Sequence, residues 1–254
     1  MFALIHDMRS RIITAPNFNG DEVIGAILFE KTMDGETEGK PVPSLLWGRG
    51  VVPFVKVDTG LEAESDGVQM MKPMPQLHSL LERAKAKRVF GTKMRSVINR
   101  ASQTGIAAIV RQQFEVAGQI LDQDLMPIIE PEVNIRSAGR VECDAILLEE
   151  IQKQLNSVPA DRKVILKLSI PAEPNLYLPL VDHPRVACVV ALSGGFSRDE
   201  ACAELAKNQG VIASFSRAFL EGLRFSMTDE EFDQSLDRSI NQIYLASTVK
   251  FESD

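Results

Sequence analysis

Five charged residues stand inside runs that are otherwise apolar. They are Lys56 in Pro-Phe-Val-Lys-Val-Asp, Lys93 in Phe-Gly-Thr-Lys-Met-Arg, Glu130 and Glu132 in Ile-Ile-Glu-Pro-Glu, and Lys167 in Val-Ile-Leu-Lys-Leu-Ser. Singly, a lysine near the end of an apolar run reaches solvent along its stem or pairs with an acid. Together, on segments that converge, such charges need partners or a use, because burying them without either is costly. Amine chemistry fits several lysines and a carboxylate. An amine is a nucleophile only without its proton, and burial plus a neighbouring cation lowers its pKa towards neutrality. It then condenses with a ketone to a Schiff base, an electron sink for breaking a carbon–carbon bond without metal, while a nearby carboxylate carries protons. Lys167, between Leu166 and Leu168, has no anion close by in sequence, whereas Lys56 has Asp58 two residues on. That contrast favours Lys167 as nucleophile, Lys93 as its cationic neighbour and Glu130 as the acid–base group. Spacing alone leaves the other lysines open.

A second group of residues suits an anion. Ser193-Gly194-Gly195 follows one apolar run and leads into a helix start at Ser197, and Ser214-Phe-Ser-Arg217 ends the next run. Backbone N–H groups of a glycine turn and a helix N-terminus can face a phosphate, and an arginine adds a charged fork. The plainer reading is a glycine turn beside a surface arginine.

The apolar runs themselves recur at Val23–Glu30, Val51–Val57, Val89–Ser96, Leu125–Val133, Val164–Pro171, Val186–Gly194 and Val211–Arg217. Helix-like stretches lie between them, among them Gln76–Arg88, Ala107–Leu121, Glu142–Leu155 and Ser197–Asn208. Ser197 with Glu200, and Thr228 with Glu231, have capping-box spacing. Near-continuous apolar strands alternating with helices predict a parallel sheet covered on its outer face. A repeat of about 31 residues and the lack of a linker favour an α/β fold, a single (β/α)₈ TIM-barrel domain over 1–254, above a doubly wound open sheet. No Gly-x-Gly-x-x-Gly follows an early strand. Such barrels carry their reactive groups at the C-terminal strand ends, with a phosphate site after strands seven and eight. Only seven of the eight strands are evident. Arg11–Ala15 reads as the end of a helix begun at Phe2, with Leu4, Ile5, Met8 and Ile12 on one face.

Charge and composition narrow the partners. Against 35 Asp and Glu stand 28 Lys and Arg, a formal net charge of −7, so no broad field attracts nucleic acid or an anionic membrane. No apolar run approaches the roughly 18 residues of a membrane helix, and the four apolar residues after Met1 are too few for a signal-peptide core. Cys143, Cys188 and Cys202 show no Cys-x-x-Cys spacing, as expected of a reducing, cytoplasmic compartment. The three histidines are isolated, so neither a metal nor another cofactor is expected.

These segments resemble the class I fructose-bisphosphate aldolases, in particular their bacterial-type branch. The resemblance rests on Arg-Ile-Ile-Thr-Ala-Pro (11–16), Gly-Ala-Ile-Leu-Phe-Glu (25–30), Gly-Val-Val-Pro-Phe-Val-Lys-Val-Asp (50–58), Phe-Gly-Thr-Lys-Met-Arg-Ser (90–96) and Pro-Ile-Ile-Glu-Pro-Glu (127–132). Leu-Lys-Leu (166–168), Ala-Leu-Ser-Gly-Gly-Phe-Ser-Arg (191–198) and Val-Ile-Ala-Ser-Phe-Ser-Arg-Ala (211–218) complete it. By resemblance, Lys167 falls on the Schiff-base lysine, Glu130 on the group handling protons at the scissile bond and Lys93 on the lysine beside it. Arg95 falls on an arginine of the same site, Lys56 on a further lysine and Glu132 on a carboxylate that orders the lysine cluster. Ser193, Gly194, Gly195, Ser214 and Arg217 match a cradle for a substrate phosphate. The implied reaction is reversible cleavage of fructose 1,6-bisphosphate to dihydroxyacetone phosphate and glyceraldehyde 3-phosphate, in glycolysis and gluconeogenesis. The implied partners are a phosphorylated sugar and, as often in the family, further copies of the chain.

Two departures stand out. Thr59 replaces the lysine that usually follows Lys-Val-Asp, a peripheral change. The family's first strand, with a catalytic aspartate and serines near a phosphate, has no counterpart after Met1, in keeping with the count of seven. A barrel short of one strand exposes two edges and opens its core, so we expect the sequence to begin short of its natural start. The alternative is a truncated, catalytically impaired member that binds or scaffolds sugar phosphates. A third reading keeps the Schiff base and changes the phosphorylated ketose or aldehyde.

Overall fold

The computed structural model describes residues 2–251, with side chains from residue 7 onward. In chain order it runs α1 (Phe2–Thr14), β1 (Gly25–Leu28), α2 (Glu30–Asp34), β2 (Glu36–Thr37), β3 (Lys40–Pro41), α3 (Val42–Gly48), β4 (Val52–Lys56) and β5 (Val68–Gln69). There follow α4 (Leu77–Ala86), β6 (Gly91–Ile98), α5 (Gln103–Leu121), β7 (Met126–Val133), α6 (Arg140–Leu155), β8 (Val164–Ser169) and α7 (Leu178–Val181). The last elements are β9 (Val186–Leu192), α8 (Arg198–Ala206), β10 (Val211–Ala213), α9 (Arg217–Leu220) and α10 (Asp229–Thr248).

The main sheet runs β1-β4-β6-β7-β8-β9-β10, every neighbouring pair parallel, with β5 added antiparallel to β6. Strands therefore sit side by side in the order of the chain, which is the winding of a (β/α)₈ barrel with seven of its strands. Among the described residues β1 pairs only with β4, and β10 only with β9.

Alternation along each strand sends side chains to two cores. Facing the helices, Val55, Met94, Ile129, Leu166 and Val189 join Ile106, Ile109, Phe114, Leu147, Ile151 and Leu205 in the larger one. On the other face Phe54, Ile128, Ile165 and Val190 form a small separate cluster. Counting two residues on from the first three of these gives Lys56, Glu130 and Lys167. The period of the strand thus places the charges as the layer above an apolar floor.

Side-chain caps fix several helix starts. Ser102 Oγ accepts from Gly105 N–H at α5, and both capping boxes expected from sequence close, Ser197 with Glu200 and Thr228 with Glu231. α1 runs through Arg11–Ile13 as a helix; Ile12 is buried and Met8 packs on the core, while the Leu4 and Ile5 side chains lie outside the described residues. The outermost strands are shorter than their apolar runs. Phe29 is the N-cap of α2, which ends β1, and beyond Ala213 the chain turns into α9 at Arg217.

Candidate active site

Neighbouring parallel strands carry the charged residues to one face. Lys56 of β4 lies in register with Lys93 of β6, and Arg95 of β6 with Glu130 of β7. Lys56 Nζ donates to Asp58 Oδ1 at 2.7 Å and to its carbonyl oxygen at 2.6 Å. The other oxygen of Asp58 is 3.6 Å from Lys93 Nζ, and Lys93 Nζ is 2.9 Å from Glu130 Oε2. Glu130 Oε1 in turn lies 3.4 Å from Lys167 Nζ. The result is a row of alternating sign, Lys56–Asp58–Lys93–Glu130–Lys167, whose last four members are buried.

Burial pushes the Lys167 ammonium below the usual lysine range; Glu130 opposes the shift and Lys93 adds to it. Deprotonated, Lys167 leaves two cations and two anions in the row. The Lys93–Glu130 approach lacks hydrogen-bond alignment, and Glu130 Oε2 is buried with no hydrogen-bond donor among the described residues. The arrangement is therefore equipped for an amine nucleophile beside a carboxylate that takes up and returns protons.

Glu132, one strand repeat beyond Glu130, is held by Arg95 through a short Nε–carboxylate contact, and no lysine ion pair reaches it among the described residues. Burial works against the Arg95 charge, but Glu132, backed by Glu130 and Asp58, more than offsets it and holds the group above the usual range. The half-exposed Arg95 thus borders the row.

The anion group assembles at the same strand ends. Ser193 is buried at the end of β9, and Ser214 N–H donates to Ala191 O at 2.7 Å, which sets the segment after β10 beside it. Gly194 and Gly195 take φ of +62° and +113°, and a Cβ on Gly194 would come within 2.6 Å of Ile135 Cγ2, so both the turn and the close approach require glycine. Among the described residues no acceptor takes the N–H of Gly194 or Gly195. Arg217 is exposed at the first residue of α9, and among the described residues no ion pair joins it to the lysine row. No cluster of three or more His, Cys, Asp or Glu suited to a metal exists among the described residues, and no described helix is long and apolar enough to cross a membrane.

Sequence reading named Asp58 only as a neighbour of Lys56, yet it links two lysines. Its signal is the even spacing from Lys56, carried on just past the end of β4, which keeps both side chains on the same face.

Comparison with known proteins agrees with this geometry. A family model for class I fructose-bisphosphate aldolase matches residues 6–179. The class 1 fructose-bisphosphate aldolase of Synechocystis is 53% identical over 248 residues, covering 97% of this chain and 83% of that protein. The chain belongs to the class I fructose-bisphosphate aldolase family, a family of lyases. The structure of fructose-bisphosphate aldolase from Plasmodium falciparum, solved with TRAP and a small-molecule inhibitor, superposes with a TM-score of 0.82 over 100% of this chain and 85% of its own. At 20% identity that match speaks for the fold, a TIM-type β/α barrel.

Proposed function

We propose that the chain cleaves fructose 1,6-bisphosphate reversibly to dihydroxyacetone phosphate and glyceraldehyde 3-phosphate through a Schiff base on Lys167, in the glycolysis and gluconeogenesis of the cytoplasm, with residues 1–254 acting as one barrel domain. The observation that carries this reading is the buried contact row Lys93–Glu130–Lys167. Neutral Lys167 attacks the C2 carbonyl, and loss of water leaves an iminium. Glu130 takes the C4 hydroxyl proton as the C3–C4 bond breaks, and the bonding pair flows into the iminium as an enamine. Protonation at C3 followed by hydrolysis frees the second triose phosphate and regenerates the amine. Lys93 holds Glu130 in place and disfavours a charged Lys167. Ser193, Gly194, Gly195, Ser214 and Arg217 receive one phosphate; Lys56, at the outer end of the row, and Arg95 and Glu132, beside it, bind the rest of the substrate. A catalytically impaired, sugar-phosphate-binding role has no use for such a row.

Borohydride reduction in the presence of dihydroxyacetone phosphate, followed by intact mass and peptide mapping, tests the reading. One adduct, on Lys167, is expected. No adduct in folded protein, or an adduct elsewhere, would overturn it. Faster cleavage of another phosphorylated ketose would change the substrate and keep the lysine.

A further inference from the structure

Gln113 is fully buried in the middle of α5, on a face otherwise made of Ile106, Ile109, Val110, Phe114, Ala117 and Ile120. A polar side chain in such surroundings is costly unless its amide is satisfied at both ends. Here it is. Oε1 accepts the backbone N–H of Glu130 at 2.8 Å, and Nε2 donates to Ser96 Oγ of β6 at 2.9 Å.

The direction of that N–H matters. On β7 the even-numbered amides face β6, as Met126 N–H to Phe90 O at 3.1 Å and Asn134 N–H to Ile98 O at 2.8 Å show on either side. Glu130 lies midway between them, so its N–H also points into the seam between β6 and β7. Gln113 enters that seam from the helix side, while the Glu130 carboxylate projects from the opposite face between Lys93 and Lys167. The residue at the centre of the charged row is thus held through its backbone by a helix outside the sheet, and through its side chain by the lysines within.

We infer that Gln113 is a positioning residue for Glu130: by anchoring the amide to α5 and Ser96 it fixes where the carboxylate stands, and so serves proton transfer at the scissile bond rather than capture of the ketone. This rests on the function proposed above. Removing the anchor leaves the ion pair of Lys167 in place, because Gln113 hydrogen-bonds to neither lysine and sits on the helix side of the sheet. Schiff-base formation and cleavage should therefore part company.

Gln113→Met keeps the volume and deletes both hydrogen bonds, and Ser96→Ala deletes one. The readouts are the rate of borohydride-trapped adduct with dihydroxyacetone phosphate, and kcat and KM for fructose 1,6-bisphosphate, with kcat divided by the fraction of chains trapped. For Gln113→Met we expect trapping within about twofold of the parent, KM within about threefold, and kcat per trapped chain reduced at least about tenfold, with Ser96→Ala showing a smaller drop of the same pattern. A kcat per trapped chain within twofold of the parent would overturn the inference. So would trapping and cleavage falling in step, the mark of general loosening. Should Gln113→Met fail to fold, Ser96→Ala decides on the same criteria, taking a threefold drop as the threshold. Failure of the parent protein to trap at Lys167 would instead strike the proposed function.

Discussion

Lys167 Nζ and Glu130 Oε1 stand 3.4 Å apart on adjacent strands, and the opposite oxygen of that carboxylate meets Lys93 Nζ at 2.9 Å. Glu130 therefore resists, and Lys93 assists, the loss of a proton that burial imposes on Lys167. Trapping needs the neutral amine, so its rate rises with pH through the lowered pKa. Lys93→Met should move that rise to higher pH, and Glu130→Gln should move it to lower pH. Adduct formation followed by mass spectrometry across a pH series checks both signs; two shifts in one direction would contradict the assignment. Glu130→Gln should also cut kcat by about 10²–10⁴ while leaving the adduct, as expected for a lost acid–base group.

Asp58 is buried and links Lys56 to Lys93. Removing its charge strands the buried Lys93 ammonium between fewer anions, and breaking a buried pair costs about 3–5 kcal/mol. Asp58→Asn should fall at the low end, since Lys56 is partly exposed and can turn to water. Urea unfolding measures it. A loss below about 1 kcal/mol would mean that Glu130 alone satisfies Lys93.

Gly194 has φ of +62°, with Ile135 close to where a Cβ would stand. A left-handed backbone costs a side chain about 1–2 kcal/mol. Gly194→Ala should lower stability by at least that amount, since the new Cβ also displaces Ile135, and raise KM for the bisphosphate, while Arg217→Met, at an exposed position, should raise KM with no measurable change in stability. Steady-state kinetics beside thermal unfolding separates the two effects; an unchanged KM in both variants would remove this loop from substrate binding.

Away from the row, Tyr177 OH donates to Asp144 Oδ1 at 3.3 Å, and Asp144 Oδ2 accepts Ala172 N–H. Burial holds the Asp144 carboxyl above its usual range. Tyr177→Phe leaves that buried oxygen short of a donor, at a cost of about 1–3 kcal/mol. Chemical denaturation should register it, and trapping at Lys167 should remain as in the parent; a loss of trapping would tie this cluster to the site.

Much of the barrel could be read from the chain because each central strand is buried on both faces and so spells a near-continuous apolar run. Val164–Pro171 and Leu125–Val133 matched β8 and β7 closely for that reason. Val23–Glu30 and Val211–Arg217 overran because Phe29 and Arg217 belong to helix starts, which apolar content cannot distinguish from strand ends. α5 begins at Gln103, ahead of the expected Ala107, because the cap at Ser102 carries polar Gln103, Thr104 and Gly105 into the first turn. Lys93, Glu130 and Lys167 were legible as charges in apolar company. Their mutual contacts depend on register between strands about 35 residues apart in sequence, which no local pattern encodes. Gln113 carries no signal of its own as a polar helix residue, although its place between Ile109–Val110 and Phe114–Ala117 puts it on the apolar face.

The unequal lengths of the strands imply a gradient of hydrogen exchange. Backbone amides of β6, β7 and β8 lie between two paired strands and exchange only when much of the molecule opens, whereas β1 and β10, each of at most four residues, give up few ladder bonds when they open locally. Glu130 and Lys167 then ride on the slowest-exchanging amides, while the turn at Gly194 and the segment after Ala213 lie beside the shortest parallel strand of the barrel, held by the fewest ladder bonds. In the proposed reaction the same backbone offers a stiff mount for bond cleavage and a yielding one for seating and shedding a phosphate.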